Sequence, residues 1–330
     1  MNSEQRYTQY ALCREMLETP TVIRRFDADA ATALAVKGST TILTGEGSSR
    51  IFPAKRVVAQ ALRQGWKERF VVDGANQVGE YNLDDAHLFV VSNSGRTAEG
   101  VRLLRTANPA GSTGIVANGG TPIVDAAEES FVLGCGPEEA VAATKSVVEQ
   151  GLVYDALFRH RNGADAIDRE RLAEAFGSVL ELPVPGTFVE AAVRAPVIFF
   201  AGRNDGVAEE LTLKTNEITR KRSDFLEGTY AVHGIEEVMD PNDVVVLIDP
   251  FPVEEEKFAT VLEKGVGVTV IAVASRETRF PTIRIPDLGE STTYLQLAAG
   301  WNLLVEIGLA LGIDLDTPAR ARKVGNEFTQ

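Results

Sequence analysis

Short runs of β-branched and other apolar residues recur along the chain, each followed by a Gly- or Ser-bearing turn and then by apolar positions at helical spacing. The first run, 40–44, leads through Gly45-Glu46-Gly47-Ser48-Ser49 into a helix over 50–64. A second covers 70–72. A third, 88–91, leads through Ser92-Asn93-Ser94-Gly95-Arg96-Thr97 into a helix ending near 106. Runs at 114–116 and 131–133 follow, then a long amphipathic helix over 140–159. Ahead of these, residues 4–26 read as a helix interrupted at Thr19-Pro20, because proline and its predecessor disfavour continued helix. A helix over 169–182 and the break Pro183-Val184-Pro185-Gly186 then separate two halves, after which the pattern restarts. The second half predicts strands at 196–201, 244–248, 268–273 and 282–285. Its helices fall at 208–221, near 254–263 and at 294–311, with the turn Gly202-Arg203-Asn204-Asp205-Gly206 behind its first strand. Strand, turn and helix in repetition predict right-handed βαβ units. The fold class is therefore α/β: two doubly wound lobes, each a mainly parallel sheet flanked by helices.

At 330 residues, and roughly 150 per domain, two lobes account for the length. The division expected is an N-terminal helical segment over 1–30, a first domain over 31–165 and a second over 185–330. Lys and Arg number 33 against 47 Asp and Glu, a net charge of −14. That field opposes nucleic acid and anionic membranes, which bind positive surfaces, but leaves room for a small phosphorylated ligand. Cys13 and Cys135 lie far apart, and the three histidines are His87, His160 and His233. No metal site and no cofactor are expected from that inventory. The polar first ten residues do not resemble a signal peptide. No apolar run approaches the roughly 18 residues of a membrane span, so a cytoplasmic location is expected.

Open parallel sheets bind ligands beyond the carboxyl ends of their strands, and two turns at such ends carry hydroxyls. Ser92, Ser94 and Thr97 supply three, with the Asn93 amide among them, and Ser48 and Ser49 supply two more. Hydroxyls, backbone N–H groups and a helix dipole together suit a phosphate dianion. The plain competing reading is that such residues only cap helices, and for Thr97 taken alone the cap is the better expectation.

These turns, in this order, resemble those of the sugar isomerase (SIS) family. Residues 92–97 are similar to its serine-rich phosphate loop. Gly136-Pro137-Glu138, leading to Ala142-Ala143-Thr144-Lys145, is similar to the segment that lines the sugar. The likeness runs from Glu15-Met16-Leu17-Glu18-Thr19-Pro20 to the C-terminus. It is strongest to the two-lobed isomerase portion of glucosamine-6-phosphate synthases. The resemblance implies SIS-type lobes, a phosphorylated sugar as substrate and a homodimer in which His233 reaches the neighbouring site. It places Glu217, within Lys214-Thr215-Asn216-Glu217-Ile218, at the position that moves a proton between C1 and C2. It gives ring opening to His233 and engagement of the sugar carbonyl to Lys323, which follows Asp316-Thr317-Pro318. The chain departs from the synthases at Asn216, Ala143 and Arg96, where they carry lysine, serine and glutamate. With no cysteine after Met1 and no room for a glutaminase domain, glutamine-driven amide transfer by this chain alone is not expected.

Each site residue also has a plain reading. Glu217 precedes Arg220 and Lys221 at i+3 and i+4, the spacing of ordinary surface pairs. His87 and His160 read as structural, and Lys323 stands in a basic tail beside Arg320 and Arg322. If functional, Lys323 forms a Schiff base or polarises the ring oxygen. Lys145 and Lys214 are either additional substrate partners or helix-face charges. The leading expectation is an aldose–ketose isomerase of an aminosugar 6-phosphate, converting glucosamine 6-phosphate to fructose 6-phosphate. Two alternatives are a fructosamine-6-phosphate deglycase, with acidic Glu46 facing a cationic amine, and a non-catalytic sugar-phosphate sensor.

Overall fold

The computed structural model describes residues 1–323 and 325–328. Among the described residues, ten strands form two five-stranded sheets, parallel throughout. In the first, β1 (Thr40–Gly45), β2 (Arg69–Asp73), β3 (Ala86–Ser92), β4 (Gly111–Val116) and β5 (Glu129–Val132) lie in the order β2-β1-β3-β4-β5. In the second, β6 (Val197–Gly202), β7 (Arg222–Glu227), β8 (Val244–Ile248), β9 (Thr269–Ala274) and β10 (Thr282–Arg284) lie in the order β10-β9-β8-β6-β7. Counted from the first strand of each, the two orders are the same. The halves thus share a topology, and in each the strand order reverses beside the first strand, where this architecture places ligands.

The chain divides into two compact units, one of Met1–Leu17 with Arg171–Pro318, the other of Glu18–Glu170 with Ala319–Gln330. The last residues, assigned with the second lobe from sequence, therefore belong with the first sheet. Hydrogen bonds explain this: Ala98 N–H donates to Asn326 O and Phe328 N–H to Arg96 O, each at 2.9 Å. Thr97 and Glu327 form an antiparallel bridge between them.

Helix α1 (Ala11–Arg25) passes through Pro20 without the expected interruption. Leu12, Cys13, Met16 and Ile23 on it are fully buried, and burial at about 1.5–3 kcal/mol per large apolar side chain outweighs the roughly 3 kcal/mol that an interior proline costs. In the first sheet's unit, α2 (Ile51–Gln64) and α3 (Ala98–Thr106) follow β1 and β3, and the core gathers Ile42, Leu88, Val90, Val101 and Ile123. Helix α4 (Lys145–Arg161) starts five residues later than expected and is buried almost all round rather than on one face. Two of its buried charges are paired, Asp155 with Arg56 and Lys145 with Glu18, while Glu149 accepts from Gly134 and Cys135 N–H.

In the second sheet's unit, α5 (Arg169–Leu180) precedes α6 (Gly186–Arg194), a helix where only a break is expected. Phe199, Val245, Leu247, Val270 and Phe258 build its core. Strand β7 has no counterpart in the sequence reading, because an edge strand of sequence RSDFLE carries charge instead of an apolar run. Helix α7 (Val207–Thr219) packs on α8 (Thr292–Ala310) at Gly300, where a Cβ would lie 2.3 Å from Leu211 Cδ2. That close approach fixes α7 and the charged stripe it carries.

Candidate active site

The hydroxyl-rich turns stand at the carboxyl ends of β1 and β3, on either side of the first sheet's strand-order reversal. Gly45 closes β1 so near β3 that a Cβ would meet Val91 O at 2.5 Å, and Ser48 and Ser49 follow in a 3-10 turn, Ser48 buried. The second turn folds on itself. Ser92 Oγ accepts from Gly95 N–H at 3.1 Å, and Ser94 Oγ accepts from Arg96 N–H at 3.2 Å. With lone pairs engaged by backbone donors, these oxygens have their own O–H groups to offer, as an anion site requires. Gly95 has φ +67°, and a Cβ there would clash with the side chain of Thr121 at 2.2 Å. Its freedom therefore admits Thr121 behind the loop.

Thr97 occupies the N-cap position of α3 but makes no side-chain cap. Its Oγ1 instead lies 2.8 Å from Ser92 Oγ, so the cap expected from sequence is replaced by a hydroxyl pair. The Arg96 guanidinium stands 4.0 Å from Glu327.

Glu138 draws the third segment together. Its carboxylate accepts from Thr144 N–H at 2.7 Å, Thr144 Oγ1 at 3.1 Å and Ser146 N–H at 3.4 Å, and also from Ser146 Oγ and Asn93 Nδ2. Engaging the first N–H groups of α4, it explains why the helix begins at Lys145 and leaves Ala142 and Ala143 in irregular backbone. Lys323 Nζ donates to Ala140 O in that same segment, so the tail amine sits beside the expected sugar lining. Lys145, 4% exposed, is held by Glu18 at 2.6 Å and presents no free charge to a ligand.

The other sequence-predicted residues belong to the second sheet's unit. Glu210, Lys214 and Glu217 fall at i, i+4 and i+7 on α7. Lys214 Nζ lies 3.3 Å from Glu210 and 2.7 Å from Glu217, with the Lys214 and Glu210 side chains 0% exposed and that of Glu217 24% exposed. Burial opposes the Lys214 charge, yet the carboxylates of Glu217 and Glu210 outweigh it and hold the ammonium above its ordinary range. Glu217 is therefore not a surface pair with Arg220 and Lys221. The first of these donates to Asp314 O and Thr317 O, and the second to Val193 O. His233 is exposed at the end of a 3-10 turn, with Nε2 3.1 Å from Lys257 Nζ. The reversal point of this second sheet carries no hydroxyl cluster. Arg203 there pairs with Asp249 at 2.6 Å and lies 4.3 Å over the Phe251 ring.

Two carboxylates central to this geometry, Glu138 and Glu210, have no role in the sequence reading. Glu210 is legible in retrospect from the 210/214/217 stripe, and Glu138 only as a member of its motif. Glu46, read as an acid facing a ligand amine, is exposed and accepts from Ala75 N–H at 3.1 Å through one carboxylate oxygen. Among the described residues no group of three His, Cys, Asp or Glu is placed to hold a metal, and no helix is long and apolar enough to cross a membrane.

No protein-family model matches the chain. Among curated proteins it is similar to glutamine–fructose-6-phosphate aminotransferases. That of Halobacterium salinarum is 27% identical over 60% of this chain and 36% of the relative. That of Methanocaldococcus jannaschii is 29% identical over 72% and 23%. The chain thus spans about a third or less of these two relatives' length. Among solved structures, tagatose-6-phosphate ketose/aldose isomerase from Escherichia coli matches with TM-score 0.80 and 19% identity, over 96% of this chain and 97% of that one. The C-terminal domain of glucosamine-fructose-6-phosphate aminotransferase from Francisella tularensis matches at 0.76 and 17%, over 96% and 100%. Glucosamine-6-phosphate deaminase from Thermotoga maritima matches at 0.76 and 16%, over 97% and 99%. The twice-used strand order, the hydroxyl-rich loop and these likenesses identify the chain as a tandem sugar isomerase (SIS) fold protein, related in sequence to the glutamine–fructose-6-phosphate aminotransferases.

Proposed function

We propose that the chain is a phosphosugar aldose–ketose isomerase acting on an aminosugar 6-phosphate, with glucosamine 6-phosphate going to fructose 6-phosphate and ammonia. The observation that carries this is the hydroxyl cluster of Ser92, Ser94 and Thr97: Ser92 and Ser94 accept from backbone N–H groups of their own loop, and after the Ser92–Thr97 contact one O–H of that pair and the O–H of Ser94 are left for a dianion. Ser48 and Ser49 complete that phosphate cradle. Once the ring is open, Glu217 takes the proton from C2 of the aldehyde and returns it at C1. The resulting 2-imine adds water and releases ammonia. Lys214 keeps Glu217 oriented through their 2.7 Å contact. Ring opening is assigned to His233 and contact with the sugar carbonyl to Lys323. The assembly proposed is a homodimer to which His233 contributes from the neighbouring copy.

The relatives and fold neighbours described above are named as phosphosugar enzymes, which supports this reading. Glu46 gives one carboxylate oxygen to Ala75 N–H, so nothing in its contacts favours a deglycase over this reading. The test supplies glucosamine 6-phosphate to the purified chain and follows ammonia and fructose 6-phosphate together. Stoichiometric release of both is expected. No turnover removes this substrate, and release of glucose 6-phosphate from a fructosamine 6-phosphate instead establishes the deglycase.

A further inference from the structure

Asn93 stands in the middle of the phosphate loop, where its amide counts at first sight as one more donor to the anion. Its hydrogen bonds say otherwise. Nδ2 donates to the Glu138 carboxylate and to Ser146 Oγ, the latter at 2.6 Å, so both of its hydrogens are spent on the protein. The reverse orientation would set Oδ1 against carboxylate oxygens that can only accept. Ser146 Oγ, which accepts from Asn93, itself donates to Glu138, closing the triangle. The remaining donors to Glu138, from Thr144 and the Ser146 backbone, hold the carboxylate in place. Asn93 is half-buried, and its Oδ1 has no partner among the described residues. An amide oxygen accepts and cannot donate, so it repels phosphate oxygens and attracts an O–H.

We infer that Asn93 is a specificity-determining residue that accepts a hydrogen bond from a sugar hydroxyl beside the phosphate, and that Glu138 is the positioning residue that turns its oxygen outward. This rests on the phosphosugar reading of the same loop. Within it, the Ser94 hydroxyl and one of the paired Ser92 and Thr97 hydroxyls bind the dianion by donating, and Asn93 separates a sugar phosphate from a bare phosphate by accepting.

The experiment measures dissociation constants calorimetrically for inorganic phosphate and for glucosamine 6-phosphate, with the Asn93 and Glu138 substitutions made in the Glu217→Gln background so that turnover does not consume the sugar. Asn93→Ala is expected to weaken the sugar phosphate about ten-fold and to leave inorganic phosphate nearly unchanged. Glu138→Gln can donate where the carboxylate cannot, which lets the Asn93 amide turn. The sugar phosphate then binds more weakly while inorganic phosphate binds at least as tightly, a divergence that simple loosening of the loop would not produce. Ser92→Ala weakens both ligands. Equal weakening of both ligands in Asn93→Ala would make Asn93 a phosphate ligand and overturn the inference, as would no change in either. Should Asn93→Ala fail to fold, parallel weakening or no change in Glu138→Gln overturns it equally. Failure of the wild type to bind either ligand would overturn the phosphosugar reading itself, and the inference with it.

Discussion

Thr97 Oγ1 lies 2.8 Å from Ser92 Oγ and bonds no backbone N–H of the helix it begins. A threonine at a helix start that declines to cap is serving something other than the helix. Thr97→Val should therefore leave thermal stability within a fraction of the roughly 1 kcal/mol that a lost cap costs. It should weaken hexose 6-phosphate binding by about ten-fold or more, the scale of one hydrogen bond to a charged group. Calorimetric titration beside a melting curve checks both. A lower melting temperature with unchanged affinity would return Thr97 to the role of a cap.

The buried lysine on α7 and its carboxylates should separate stability from chemistry. Lys214→Met leaves the Glu210 and Glu217 carboxylates without the ammonium between them, and removing one partner of a buried ion pair costs about 3–5 kcal/mol. Glu217→Gln keeps an acceptor for Lys214 and should unfold near the wild-type denaturant midpoint. Its kcat should fall about 10²- to 10⁴-fold, the usual weight of a positioned acid–base group. Equilibrium unfolding and initial rates on the two variants test this.

His87 links the first sheet to acid pH. It lies 1% exposed on β3, the strand that ends in Ser92. Nδ1 accepts from Lys37 N–H at 3.2 Å, so Nε2 carries the proton to Thr113 Oγ1 at 2.9 Å. Burial lowers its pKa to about 4. The unfolded chain, with the ordinary value of 6.5, then binds more protons than the native state between those pH values. Stability should therefore be complete above about pH 6.5 and fall as the pH drops toward 4. Unfolding midpoints measured across that window should slope for the wild type, and the slope should flatten in His87→Gln.

Lys323 Nζ donates to Ala140 O, in the segment expected to line the sugar. Lys323→Met should accordingly lower kcat by about ten-fold or more while inorganic phosphate binds as before. Steady-state kinetics and a phosphate titration decide between this and a solvated tail, for which neither quantity moves.

The sheets were legible because buried parallel strands leave apolar runs that turns punctuate, and the hydroxyl-rich loop of residues 92–97 because hydroxyls at a strand end are conspicuous. Position alone misled at Pro20, where burial of Leu12, Met16 and Ile23 overrides a local breaker. It also missed β7, whose exposed edge carries Arg222, Asp224 and Glu227. The start of α4 is set by Glu138, six residues before Thr144, a spacing no periodicity reports. Partner choice was the least readable feature. Lys214 looks no different from Lys145 in sequence, yet one is wrapped by two carboxylates of its own helix and the other by Glu18. Which way an amide faces, as at Asn93, is decided entirely by what surrounds it.

The claim that Glu217 moves the C2 proton of a bound sugar phosphate is tested most directly by NMR in deuterium oxide. The C2 proton signal of glucosamine 6-phosphate should disappear in the presence of the wild-type chain and persist with Glu217→Gln. Tight binding of the sugar with its C2 proton left intact by the wild type would contradict the account and make the chain a sensor.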